Sequence, residues 1–207
     1  MKKIAIALVL ASTGFATTTV MAQETPWLVR ARAVDVIPAN SSDPITALSL
    51  PSDAVSIAKK VIPEVDFTYF VTPNWSAELV LTYPQKMDVS VAPVGAIGSV
   101  KVLPPTLTAQ YHFLPASDFN PYLGVGINYT NFSNIDLKAA GIPLNLNSSS
   151  WGYAAQAGVD YKLDKNWSLN LDVKYVEMRN AVYGAGQTLT HIQINPMLVG
   201  AGVGYRF

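Results

Sequence analysis

Hydrophobic and polar positions alternate with a period of two along most of this chain, as they do in strands with two unlike faces. The final stretch, 190–207, shows the pattern most openly. Phe207, Tyr205, Val203, Ala201, Val199 and Met197 share one face, and Arg206, Gly204, Gly202 and Gly200 share the other. Three glycines and an arginine make a poor solvated surface but suit the inner wall of a narrow closed barrel. Apolar outward with small and polar inward is the pattern of a strand that crosses a bilayer.

The same alternation predicts seven further strands, over Trp27–Ile37, 58–71, 75–83, 99–113, 121–132, 150–163 and 167–182. Each has about ten residues or more, the length a tilted strand needs to cross the hydrocarbon. Connections over 72–74, 114–120 and 164–166 are short, and the first and last of these have turn chemistry. Those over 38–56, 84–98 and 133–149 are long, and the last predicts a short helical turn near 136–140. Pro104 and Pro105 cannot donate ladder bonds, so the fourth strand should bulge or break there.

The fold class that follows is all-β: an eight-stranded antiparallel up-and-down transmembrane β-barrel with short periplasmic turns and longer extracellular loops. Trp75, Tyr83, Tyr111, Phe113, Tyr129, Trp151, Tyr153, Tyr161, Trp167, Tyr175, Tyr205 and Phe207 lie near strand ends on the apolar face. Interfacial girdles need rings at those places.

The opposite face lines the lumen. Near the periplasmic end it carries Arg30, Asp66, Glu78, Gln110, His112, Asp160, Lys162, Asn170, Asp172 and Arg206. Unpaired charges are costly inside a narrow barrel, so these should form a hydrogen-bonded plug. A proton or ion path through them is the functional alternative. Toward the outside the inward positions turn apolar, with Val34, Val36, Val80, Val100, Val102, Val176, Met178 and nearby Leu198. Either they merely fill space, or they line a small cavity open to an apolar ligand. Beyond Pro104 and Pro196 the register is open: a bulge at Pro196 would turn Ile192 and Ile194 to lipid, and without one they face the lumen.

Composition narrows the class. The chain has 207 residues, 50% of them hydrophobic and only 14% charged, against about 25% charged in ordinary soluble domains. Net charge is zero, which implies no nucleic-acid partner. No cysteine is present, so disulfides, thiolate metal sites and a cysteine nucleophile are excluded. Residues 1–22 read as a cleaved signal peptide: Lys2 and Lys3, the apolar run from Ile4 to Leu10, and a small residue, Ala22, at the cleavage position. Residues 23–207 would then be the barrel. His112 and His191 are the two histidines, and nothing in the spacing brings catalytic or metal-binding partners to either. No enzyme activity, metal or cofactor is expected.

Several stretches resemble the OmpW family of outer membrane proteins: Leu103-Pro104-Pro105-Thr106-Leu107, Pro121-Tyr122-Leu123-Gly124-Val125-Gly126-Ile127-Asn128-Tyr129-Thr130, Ser150-Trp151-Gly152, Gly158-Val159-Asp160-Tyr161 and the ending Gly204-Tyr205-Arg206-Phe207. The resemblance implies an eight-stranded barrel in the outer membrane of a Gram-negative bacterium. It also implies a narrow, largely apolar channel for small hydrophobic molecules, with lateral release into the membrane lipid. Pro104 and Pro105 are the candidate lateral opening, where strand pairing is weakened. By the same resemblance Tyr205 and Phe207 form the end recognised by the barrel assembly machinery. Lys174 and Asp172 stand against a continuous apolar path through the barrel. The competing function is a structural or surface-interaction barrel whose loops, 38–56 and 133–149, do the work. A barrel enzyme acting on lipid through His191 or an outer-loop Ser/Asp set is a third.

Overall fold

The computed structural model describes residues 25–45, 50–139, 141–184 and 186–207. The signal peptide expected over 1–22 lies outside the described residues. The described strands are β1 (Trp27–Ile37), β2 (Ser41–Ser42), β3 (Val55–Ile57), β4 (Lys60–Phe70), β5 (Trp75–Leu81), β6 (Gln85–Val91), β7 (Gly95–Leu103), β8 (Thr106–His112), β9 (Phe119–Ala139), β10 (Ile142–Leu146), β11 (Ser149–Lys162), β12 (Trp167–Val176), β13 (Arg179–Gly184), β14 (Gln187–Gln193) and β15 (Met197–Arg206).

Eight of them close an antiparallel barrel in the order β1, β4, β5, β8, β9, β11, β12, β15. The ring is sealed by β1 against β15, in register from Leu28–Arg206 to Ile37–Met197. The glycines of β15 permit that seal. A Cβ on Gly202 would stand 2.0 Å from the Ala31 carbonyl oxygen, so a side chain there would push the two closing strands apart.

Alternation decides what faces lipid. Leu79, Leu107, Val125, Ile127, Leu171 and Val199 all project outward and are exposed. So large a contiguous apolar surface would be untenable in water. Aromatic rings bound it. Near the short turns Trp27 packs on Tyr69 and Trp75 on Tyr111, each pair with centroids 5.0 Å apart, and Tyr129 meets Trp151 at 4.9 Å at the other end. The short turns are tight. Val71 N donates to Trp75 O at 2.9 Å and Leu163 N to Trp167 O at 2.9 Å.

Two predicted loops are instead walls. The connection expected over 84–98 is most of the hairpin β6–β7, and the stretch 133–149 continues β9 to Ala139 and returns as β10. The helical turn expected near 136–140 is therefore replaced by strand through Ala139. The inward positions still alternate, with Met87, Val89, Val91, Leu137, Leu144 and Leu146 buried. Their outward neighbours are polar, because this collar stands above the membrane in water, and that polarity made the segments read as loops. β13 and β14 complete the collar, with β2 on β14 and β3 on β6.

Three predicted strands are divided. The fourth ends at Leu103 and restarts at Thr106, where Pro104 and Pro105 interrupt it. The seventh stops at Val176 and resumes at Arg179. The eighth is broken between Gln193 and Met197, with Asn195 at φ 34°. That last break does not turn side chains over. Ile192, Ile194, Pro196 and Leu198 are all buried, so parity survives the interruption and both isoleucines face the interior.

Candidate functional site

The lumen is divided across its height. In its lower half two arginines of β1 act as hubs. Arg30 makes a two-pronged contact with Asp160, Nε to Oδ1 at 3.0 Å and Nη2 to Oδ2 at 2.7 Å. Its Nη1 donates to Thr68 Oγ1 at 2.7 Å, Asp66 Oδ1 at 3.1 Å and Glu78 Oε2 at 3.2 Å. Arg32 Nη2 lies 2.6 Å from Asp66 Oδ2, and its Nε lies 3.1 Å from Glu64 Oε1. The fork between Arg30 and Asp160 is the geometry in which a buried guanidinium recovers lost hydration, whereas Arg32 meets Asp66 and Glu64 by single charge contacts.

Neutral groups add further bonds to the carboxylates. Gln110 Nε2 donates to Glu78 Oε2 at 2.8 Å and Gln156 Nε2 to Glu78 Oε1 at 3.2 Å. Tyr122 donates to Asp172 Oδ2 at 2.9 Å and lays its ring against Gly158, where an added Cβ would sit 2.3 Å from the phenol oxygen. His112 is fully buried between the rings of Phe70 and Tyr122, with Ser76 Oγ and Asn120 Nδ2 each 3.1 Å from a ring nitrogen.

Arg30, Asp66, Glu78, Gln110, His112, Asp160 and Asp172 are thus brought together and buried. Lys162 and Arg206 stand apart, half-buried at the periplasmic rim. Lys162 donates to Pro115 O at 3.3 Å, and Arg206 donates to Thr25 O at 3.1 Å and stacks over Phe70. The rim position puts both outside the buried ionic cluster in which the alternation had grouped them. The cluster also holds members that the sequence reading left out of the plug: Arg32, Glu64, Lys174, Tyr122 and Gln156. Parity could have found them, since Arg32, Glu64 and Lys174 lie two positions from Arg30, Asp66 and Asp172 on the same strand face.

Above the ions the lining turns aliphatic. Val36, Val80, Val102, Val176, Met178 and Leu198 surround a cavity of about 60 Å³ whose floor is Glu64 and Lys174, 3.5 Å apart. Val100 lines a second, wholly apolar cavity of about 50 Å³ inside the collar. Val34 is buried in the same apolar cluster. Ile194 borders both cavities, so the two are neighbours along the axis. Each has room for only a few atoms, and any larger guest must displace side chains.

The side wall of the lower cavity is incompletely stitched. The β4–β5 ladder stops at Val65–Leu81, and β4 above it, Lys60–Glu64, has β1 as its strand partner on one side only. Across the other side run single bonds, Thr82 Oγ1 to Pro63 O at 3.0 Å and Lys60 Nζ to Lys86 O at 3.2 Å. Pairing also lapses between Val80–Thr106 and Gln85–Val102. Pro104 and Pro105 border this second lapse, but on their far side they are held, with Asn128 Nδ2 donating to both carbonyls at 3.2 Å and Tyr129 N to Pro105 O at 3.0 Å. The weakest stretch of wall therefore centres on 82–84.

At the periplasmic edge Tyr205 packs between Trp167 and Phe207, with centroids 5.0 and 5.1 Å away. At the opposite end His191 Nδ1 lies 3.4 Å from Asp43 Oδ2, and both side chains are exposed.

Comparison with known proteins places this architecture. The chain is 38% identical over 198 residues to the outer-membrane protein y4mB of Sinorhizobium fredii, covering 93% of this chain and 84% of that one. It is 34% identical over 198 residues to outer membrane protein W of Vibrio cholerae, covering 89% and 90%. The crystal structure of OprG from Pseudomonas aeruginosa superposes with a TM-score of 0.76 at 28% identity, covering 89% of this chain and 97% of that one. The OmpW family matches residues 23–207, and with it the closed barrel, the lipid-facing wall and these relatives make one assignment: the chain is an outer-membrane β-barrel that belongs to the OmpW family.

Proposed function

We propose that this barrel is a passive conduit for small hydrophobic molecules, which enter the apolar lumen from outside and leave sideways into the bilayer. The observation that carries the reading is the position of the lower cavity. It is aliphatic above, closed beneath by Glu64, Lys174 and the ions, and bordered by the poorly stitched wall at 82–84. A solute that cannot cross a buried ion cluster has a shorter apolar path through that wall. Aliphatic contacts are non-directional, so Met178 and Leu198 can yield to a guest without leaving hydrogen bonds unmade. The mechanism is partition and release, with no catalytic step or cofactor.

The same reading takes residues 1–22 as a signal peptide removed during export, and Tyr205 and Phe207 as the end that the barrel assembly machinery recognises. The experiment is uptake of a hydrophobic solute by cells carrying Val102→Arg or Val176→Arg, with correct assembly checked by heat-modifiable electrophoretic mobility. Uptake should fall to the level of cells lacking the protein. Assembled variants with unchanged uptake would remove the lumen from the function and return it to the collar and loops.

A further inference from the structure

The outer wall carries an opposed pair of lysines whose side chains neither the barrel's packing nor its lumen uses, with a third lysine beside them. Lys86 of β6 and Lys101 of β7 are directly opposed across the hairpin, and both are exposed. Opposed residues have Cβ atoms about 4.5–5.5 Å apart, and like charges there weaken the ladder. Neither lysine forms an ion pair among the described residues. Lys60, reaching across from β4, brings a third ammonium to the Lys86 carbonyl at 3.2 Å. The acids on this wall lie one rung farther from the barrel, where Asp88 opposes Ser99 and Ser99 opposes Asp136.

Depth gives the cluster its meaning. Immediately on the barrel side are the exposed Leu81 and Tyr83 and the half-buried Leu103, the top of the lipid-facing band, with Leu103 paired to Asn131 two residues above the Tyr129–Trp151 ring pair. The lysines therefore occupy the first polar rung above the hydrocarbon, where the headgroups of the outer leaflet lie.

We propose that Lys86 and Lys101, with Lys60 beside them, bind the phosphate group of an outer-leaflet lipid headgroup. A phosphate between the two ammoniums turns their repulsion into two charge-assisted hydrogen bonds. The acyl chains of the same lipid lie along Leu81, Tyr83 and Leu103, contacts that a soluble phosphate lacks. Asp88 and Asp136 repel anions approaching from the water side, so the site favours a phosphate already held at membrane depth. This proposal stands apart from the transport reading and does not need it.

The test uses the full-length barrel in a neutral detergent, titrated with lipid A, the same lipid with its phosphates removed, and inorganic phosphate. Native mass spectrometry reads the bound lipid. Lipid A should bind at least about tenfold more tightly than the dephosphorylated form, and added salt should shrink the difference. Lys86→Gln with Lys101→Gln should abolish the preference, Lys86→Arg with Lys101→Arg should keep it, and Lys138→Gln, elsewhere on the wall, should leave it intact. Equal binding of the two lipids by the wild-type protein overturns the proposal without any variant. So does a preference that survives Lys86→Gln with Lys101→Gln, or displacement of lipid A by inorganic phosphate at equal concentration.

Discussion

Around Arg30 and Arg32 the barrel interior is held by a network of buried ion pairs; higher up, around Val102 and Val176, it is held by aliphatic contacts, with Glu64 and Lys174 standing between. Both halves are packed and buried, yet they respond differently to change. An ion cluster depends on direction and partner count, so removing one member strands the others. An aliphatic lining depends on volume, and its side chains can move aside at modest cost. The lower half thus fixes the cross-section of the barrel, while the upper half can change volume without leaving a polar group unpaired.

The largest effect should come from Arg30→Met. It leaves Asp66, Glu78 and Asp160 short of their shared cation and should cost about 3–5 kcal/mol, or prevent folding, in urea titrations of the barrel in lipid vesicles. A smaller loss would mean that the lower half is as forgiving as the upper. At the boundary, Lys174→Met should cost about 3 kcal/mol, because Glu64, Glu78 and Asp172 lose a neighbouring cation, and adding Glu64→Leu should not recover it, because Arg32 then loses Glu64. A double variant as stable as the wild type would show that Glu64 and Lys174 form a separate pair outside the lower cluster. In the apolar half Leu198→Ala should cost about 2 kcal/mol and enlarge the lower cavity. A loss matching that of Arg30→Met would erase the distinction between the halves.

The smallest effect lies outside both. Asp164, exposed in a periplasmic turn, accepts from Trp167 N at 2.7 Å and Asn166 N at 2.8 Å, and these bonds hold its carboxyl below the usual range. A depressed carboxyl contributes stability above its unfolded pKa and loses it as pH falls through the folded one. Between about pH 6 and pH 2 the wild-type protein should therefore lose slightly more stability than Asp164→Asn. Parallel pH profiles would show that the turn contributes nothing.

The barrel strands were legible because lipid leaves little choice outside: every outward position of β12, from Leu169 to Tyr175, is apolar or aromatic. The collar was not, because water accepts polar residues on its outer face, so Lys86, Asp88 and Ser90 hid the alternation of Met87, Val89 and Val91. In the barrel, parity separated buried from exposed positions, as at Val100, Val102 and Leu198. It could not say that Arg206 and Lys162 stop at the rim, because height along the axis depends on strand tilt, and that needs pairing partners. Nor could it find the gap beside Pro63, since a missing neighbour leaves no trace in a strand's own sequence.

Arg30 has a consequence for how the barrel assembles. Its partners come from β4, β5 and β11, so they arrive from neighbouring strands and from across the lumen. While the sheet is still open, Asp160 is remote from Arg30 and the cluster is incomplete. Only closure of β1 on β15 brings every charge into place. A sheet closed in another register would bury these charges without their partners, so the ions penalise every closure but the one that matches them.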